Sequence, residues 1–175
     1  MGVPLLAAAG APLAVSPSSL TLRQEGMVLW VEGGLTVQAD KAVAWQVLTD
    51  YPRFPEFVPG IASNQVVSTA GNGRKTLSQR GQIQAGQVRI VYEGLVDVTE
   101  YPGEGLDILF LSGPFKDVRG SWRILAGSPL KLSYTMRMDL QKTPFPPPLA
   151  SSIVQEQVRT WVTVFAREIE RRGGK

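Results

Sequence analysis

The side chains able to do chemistry in this 175-residue chain are carboxylates, tyrosines, lysines and arginines, because it contains no histidine and no cysteine. That excludes Cys–His nucleophilic pairs, histidine-dependent serine triads and zinc sites built on thiolate or imidazole, and it removes the usual proton shuttle near neutral pH. Acid–base work would fall to Asp, Glu, Tyr, Lys or Arg, or to a bound cofactor. No cofactor is read from the sequence. Gly71-Asn72-Gly73 is a turn signal and not a phosphate loop. Gln79, Gln82, Gln84 and Gln87 have no metal-binding or acid–base spacing.

The densest candidate stretch is "TDYPRFPEFVPGI", Thr49 to Ile61. Asp50 could serve as a catalytic carboxylate, but a residue at a helix end before Tyr-Pro more commonly orders the turn through backbone hydrogen bonds. Arg53 and Glu56 either border a cavity mouth or form a solvated loop face. The remaining candidates are large and apolar. Tyr92, Trp122, Tyr134 and Met136 fall on the inward face of strands, opposed by Val158, Trp161 and Phe165 from a helix. With Tyr51, Phe54, Phe57 and Phe110 they form the candidate ligand-binding set; no catalytic residue and no metal ligand is assigned. Any one of them alone is ordinary core. As a group they outline a hydrophobic pocket in which Tyr O–H and Trp N–H are the few polar anchors.

The elements that must position these residues are legible from hydrophobic period. "MVLWVEGGLTVQ" reads as a strand with Leu29, Val31, Leu35 and Val37 on one face. Asp40 offers an N-cap, and Val43, Ala44, Val47 and Leu48 follow at helical spacing to about Asp50. Pro52, Pro55 and Pro59 then limit the chain to at most a turn or two of helix. From Ile61 to Gln141 the pattern alternates between apolar and polar residues, interrupted by turns at Gly71-Asn72-Gly73, Gly86, Pro102-Gly103, Gly113-Pro114-Phe115 and Gly127-Ser128-Pro129. Leu132, Tyr134, Met136, Met138 and Leu140 alternate strictly with polar residues, the signature of an antiparallel sheet with one buried face. The expectation is an α+β protein with about seven strands. After "TPFPPPLA", Ile153, Val154, Val158, Trp161, Val162, Phe165 and Ile169 form one stripe of a helix of about 22 residues, about 33 Å long. That length suits covering a whole sheet, and a bent sheet wrapped on one helix can retain a cavity.

This order of elements, together with "VLTDYPRFPEFVPGI", "SGPFKDVRGSWRI" and the proline break before the last helix, resembles the polyketide cyclase/dehydrase and coenzyme Q-binding branch of the START-like superfamily, over roughly residues 28 to 172. The most specific parts are Asp50-Tyr51-Pro52 with Phe54, Pro55, Phe57 and Pro59, and Gly113-Pro114-Phe115 followed by Gly120-x-Trp122. The resemblance implies a helix-grip fold and a cavity for a hydrophobic ligand such as a lipid, an isoprenoid quinone or a polyketide. It also admits true cyclases and a ribosome-associated branch. No enzymatic motif of the family is matched residue by residue.

Composition fits one domain, residues 23–175, preceded by an apolar leader at 1–22. The leader resembles the apolar region and cleavage zone of a secretory signal but lacks a basic flank, and a disordered arm is the alternative. Export of a bacterial protein to the periplasm follows from the first reading, a cytoplasmic location from the second. The net charge of +3 is scattered except for Arg167, Arg171, Arg172 and Lys175, whose expected role is to solvate a helix C-terminus. No nucleic-acid partner is expected; transient membrane contact stays open and the oligomeric state is not legible. Two functions therefore compete: a carrier or sensor of a hydrophobic small molecule, favoured by the missing histidine, and a cyclase or dehydratase working through Tyr, Arg or a carboxylate.

Overall fold

In the computed structural model, which describes residues 19–174, the alternating segments become β1 (Ser19–Glu25), β2 (Val28–Val37), β3 (Ile61–Thr69), β4 (Arg74–Ala85), β5 (Val88–Tyr101), β6 (Gly105–Phe110), β7 (Arg119–Leu125) and β8 (Leu130–Asp139). They make one antiparallel eight-stranded sheet in the order β1-β2-β8-β7-β6-β5-β4-β3. From β3 to β8 each strand pairs with the next in the chain, as short turns between alternating segments require. The sheet is extended at its other side by β2 pairing with β8, from Val28 opposite Asp139 to Val37 opposite Leu130.

The sheet has eight strands where about seven are expected, and the additional one begins inside the segment read as a leader. Residues 19–22, assigned to the leader, belong to β1, which pairs with β2 from Ser19 opposite Gly34 to Glu25 opposite Val28. Leu20 and Leu22 pack against the core from this strand. Its period-two signal, "SLTLRQE", directly follows an apolar run and merges with it by composition. The rest of the proposed leader, residues 1–18, and Lys175 lie outside the described residues.

Among the described residues three α-helices complete the fold. The first, α1 (Lys41–Thr49), buries Ala44, Val47 and Leu48, and the Asp40 carbonyl accepts from the amides of Val43 and Ala44. The proline-rich stretch is a three-residue 3₁₀ turn, Tyr51–Arg53, running into a single helical turn, α2 (Phe54–Phe57). Pro52 and Pro55 fall in the first turn of each piece, where a missing N–H costs nothing. The long helix α3 (Ala150–Gly173) starts just after the proline break and ends on Gly174 in the left-handed region. It buries Ile153, Val154, Val158, Val162, Phe165 and Ile169 against the concave face of the sheet. The opposing strand residues, Leu29, Val31, Leu132, Met136 and Met138 among them, obey the expected parity. The helix-grip expectation is met: a curved sheet closes around one helix.

Candidate functional site

Between the concave face of the sheet, α3 and the segment from Tyr51 to Val58 lies a cavity of about 140 Å³. The strands contribute Tyr92, Phe110, Trp122, Tyr134 and Met136 to its wall, α3 contributes Val158, Trp161 and Phe165, and the proline-rich segment contributes Tyr51 and Phe54. These are the sequence candidates with one exception. Phe57 does not line the cavity: its ring meets Phe54 and Phe165 edge-on at 5.7 and 5.4 Å, and the Arg172 guanidinium lies 5.7 Å from its centre. One turn of helix puts Phe54 in the wall and Phe57 behind it.

Two aromatic groups shape the enclosure. Around Phe165, Trp122 lies at 5.5 Å and Phe54 at 5.2 Å, and Tyr134 packs on Trp122 at 4.9 Å. Around Phe115, Tyr92 lies at 5.3 Å, Phe145 at 5.6 Å and Phe110 at 6.3 Å. Phe115 and Phe145 were absent from the sequence set because each occupies a turn-rich segment, where exposure is the usual expectation. Phe115 is buried because its loop folds back on the end of β6: the Asp117 amide donates to the Phe110 carbonyl at 2.9 Å, and the Phe110 amide to Val118 at 3.0 Å.

One wall is polar and was not anticipated. The Tyr92 hydroxyl donates to Gln79 Oε1 at 3.3 Å, Gln79 Nε2 to Asn64 Oδ1 at 3.3 Å, and Asn64 Nδ2 to the Tyr51 carbonyl at 3.1 Å. All four residues line the cavity, and Asn64 is wholly buried. Parity contained the signal: Gln79 shares the inward face of β4 with Leu77, Gly81 and Ile83. Amides in a strand rich in Gln and Ser read as solvated, so it was missed. Within this chain every amide group finds a partner, which makes the wall rigid and leaves little hydrogen-bonding capacity for a ligand.

At the end of the cavity Tyr51 turns its hydroxyl outward, donating to Glu100 Oε1 at 2.7 Å, and Lys75 Nζ donates to the same oxygen at 2.6 Å. Glu100 is thus held by a cation and a phenol and does not line the cavity. The phenols are poor proton donors and acceptors in the ionic sense. Burial, then the Glu100 carboxylate, raises the Tyr51 pKa far above the ordinary range; burial alone pushes Tyr92 up to about 12 and raises Tyr134 further. All three stay protonated near neutrality.

The remaining candidates are structural. The Asp50 carbonyl accepts from the Arg53 amide at 3.0 Å at the turn, and its carboxylate accepts from Arg172 Nη1 at 2.7 Å, an ion pair between α3 and the α1 junction. Arg53 and Glu56 pair with each other on the surface. The tail arginines do more than solvate a helix end: Arg171 and Arg172 both bind Glu168, and Arg172 is largely buried. Among the described residues no group of His, Cys, Asp or Glu has the geometry to hold a metal ion, and no helix is long and apolar enough to cross a membrane.

A family model described as polyketide cyclase/dehydrase and lipid transport matches residues 37–166. The chain belongs to this family. The match to the polyketide cyclase/dehydrase and lipid transport model starts at the last residue of β2 and ends inside α3, so it spans the cavity walls. Similar solved structures include the di-domain aromatase/cyclase BexL from the BE-7585A biosynthetic pathway, at 10% identity and a TM-score of 0.67, covering 85% of this chain and 51% of that one. The chain therefore spans about half the length of that protein. The Zhui aromatase/cyclase from Streptomyces sp. R1128 matches at 15% identity and a TM-score of 0.63, over 84% of this chain and 94% of that one. A STAR-related lipid transfer protein from Xanthomonas axonopodis matches at 14% identity and 0.64, over 86% and 98%. At such identities the likeness establishes the START/Bet v 1 helix-grip fold. No curated protein matches the chain at a significant level.

Proposed function

We propose that this member of the polyketide cyclase/dehydrase and lipid transport family binds and carries a hydrophobic small molecule in the cavity between α3 and the sheet. The observation that carries the proposal is the wall itself: aromatic and aliphatic groups make up most of the enclosure, no acidic residue lines it, and the Glu100 carboxylate is held outside it by Lys75 and Tyr51. A cavity of this size admits a single aromatic ring. Drug-sized ligands occupy roughly 300 to 1,000 Å³. A lipid or an isoprenoid quinone, the ligand of the coenzyme Q-binding branch, therefore requires the cavity to widen, and Phe54 and Phe115, which come from a short helical turn and a loop, are the wall residues best placed to move.

The cyclase reading draws on one observation, the Tyr92 hydroxyl within the Gln79–Asn64 chain, which could polarise a bound carbonyl. The raised pKa of Tyr92 argues against proton transfer by it, and the carrier reading is preferred.

The test is a titration of the protein with toluene, followed by tryptophan fluorescence, in the native chain and in Val158→Phe, whose larger side chain fills the space. Saturable binding to the native chain, lost in the variant, is expected. Absence of saturable binding to the native chain overturns the proposal.

A further inference from the structure

A carrier must load and release its ligand, and a cavity walled by packed rings does so only when part of the wall moves. Two stretches of the wall are a single layer of chain with solvent beyond. In the first, Tyr51, Phe54 and Val58 line the cavity while Pro52, Arg53, Pro55 and Glu56 are exposed. In the second, Phe115 and Val118 line it while Lys116 and Asp117 are exposed. Arg119 and Gln157, also in the wall, belong to β7 and α3, regular elements held along their length. The two stretches differ in how they are fastened. The loop that carries Phe115 is woven into β5 and β6: the Leu111 amide donates to the Leu95 carbonyl at 2.8 Å, the Leu95 amide to Ser112 Oγ at 2.9 Å, and backbone bonds join Phe110 to Asp117 and Val118.

The segment from Tyr51 to Val58 is fastened at one end. Apart from the turn bond between the Val58 carbonyl and the Ile61 amide, its hydrogen bonds to the sheet among the described residues are two, both at Tyr51. The Tyr51 carbonyl accepts from Asn64 Nδ2 at 3.1 Å, and the hydroxyl donates to Glu100 Oε1 at 2.7 Å. Beyond Tyr51 the segment is held by packing, with Phe54 and Phe57 against Phe165 and the Arg172 guanidinium over Phe57. Pro52 and Pro55 stiffen it, so it moves as one piece. Its far end is Gly60, at a φ of +86° and anchored by the Gln82 amide, which donates to its carbonyl at 2.7 Å. Lys75 completes the fastening: its Nζ donates to Glu100 Oε1 at 2.6 Å and lies 5.7 Å from the centre of the Tyr51 ring. One ion pair outside the cavity thus grips both the hydroxyl and the ring of Tyr51.

We propose that the ligand enters and leaves beneath the segment from Tyr51 to Val58, which swings as one stiff piece between Asp50 and Gly60, and that the Lys75–Glu100 pair is the latch that holds it shut. This deepens the carrier reading and rests on it. The latch bonds exist in the closed protein whether the cavity is filled or empty, and they are broken in the open form through which the ligand passes. Weakening them raises the population of the open form, so entry and exit accelerate by the same factor and the affinity stays where it was. A residue that merely supports the fold or the wall would change stability or affinity without this paired change in rates.

The experiment is stopped-flow tryptophan fluorescence with toluene, reading kon and koff in the native chain and in Glu100→Ala, Glu100→Gln and Ser112→Ala. In Glu100→Ala both rates are expected to rise about tenfold, with Kd within about twofold of the native value, because one charge-assisted hydrogen bond is lost from the closed forms alone. Glu100→Gln keeps an acceptor for the Tyr51 hydroxyl, and its rates are expected to rise about threefold. Ser112→Ala removes a fastening of the other loop and is expected to leave both rates unchanged. Native rates in both Glu100 variants, a change in affinity without a rise in kon, or equal acceleration by Ser112→Ala overturns the proposal while leaving the carrier reading intact. Absence of toluene binding to the native chain overturns both. Circular dichroism establishes whether Glu100→Ala folds; if it does not, Glu100→Gln decides alone, and unchanged rates in it overturn the proposal.

Discussion

Arg172, near the end of α3, donates Nη1 to Asp50 Oδ2 at 2.7 Å across 122 residues of sequence. The bond closes the C-terminus of the long helix onto the junction where α1 meets the proline-rich segment. The same guanidinium donates Nε to Glu168 and lies over the Phe57 ring, so one side chain fixes helix, junction and segment together. Replacing it leaves Asp50 partly buried without its cation and Glu168 with Arg171 alone. Arg172→Ala is expected to destabilise the fold by about 2–4 kcal/mol in urea unfolding. A midpoint equal to that of the native chain would show that the pair is only a surface contact.

Glu168 also gives the fold an acid sensitivity. Hydrogen bonds from Arg171, and then from Arg172, outweigh burial and lower its pKa from the ordinary 4.5 to about 2. A carboxyl group depressed in the folded state contributes stability that is fully present above its unfolded pKa and is lost as pH falls through the folded one. The loss is therefore expected between about pH 4.5 and pH 2, amounting to at most about 3 kcal/mol. Glu168→Gln should flatten this part of the profile; an equally steep acid limb in the variant would assign it to other carboxylates.

Gly81 faces inward on β4, where an added methyl group would stand 2.2 Å from the Gly60 carbonyl and 2.9 Å from the Tyr92 hydroxyl. The first neighbour is backbone and cannot yield easily. Gly81→Ala is expected to cost roughly 1–3 kcal/mol or more and to dislodge Tyr92 from Gln79. Thermal unfolding reads the cost, and a variant as stable as the native chain would mean that the loop before β3 moves freely.

Phe54 and Phe57 belong to the same turn of helix but differ in what they face. Phe54→Leu should alter the affinity for toluene, because its ring is part of the cavity wall. Phe57→Leu should leave that affinity unchanged and lower stability by roughly 1 kcal/mol through lost ring contacts. Equal effects of the two on affinity would remove the distinction between wall and support.

The parts of this architecture that the sequence revealed are those written in short-range pattern. Strict alternation in β8 located Tyr134 and Met136 on the buried face, and the stripe through Val158, Trp161 and Phe165 oriented α3, because strand and helix periods fix side-chain direction. The strand β1 was hidden because its alternation adjoins an apolar run. Phe115 and Phe145 were hidden because burial of a loop residue depends on how the loop folds back, which no local period records. The Asn64–Gln79–Tyr92 chain and the Arg172–Asp50 pair join side chains from different elements, and such contacts follow from tertiary closure. Phe57 failed for a related reason: a single turn of helix is too short for periodicity to say which ring takes the cavity side.

The central claim, that the cavity carries a hydrophobic small molecule, is tested most directly by native mass spectrometry of gently purified protein followed by organic extraction. The account predicts a mass above that of the chain, released on denaturation and recovered in the organic phase as an apolar compound. Repeated recovery of the bare chain, with nothing extractable and no uptake of added aromatic probes, would contradict it.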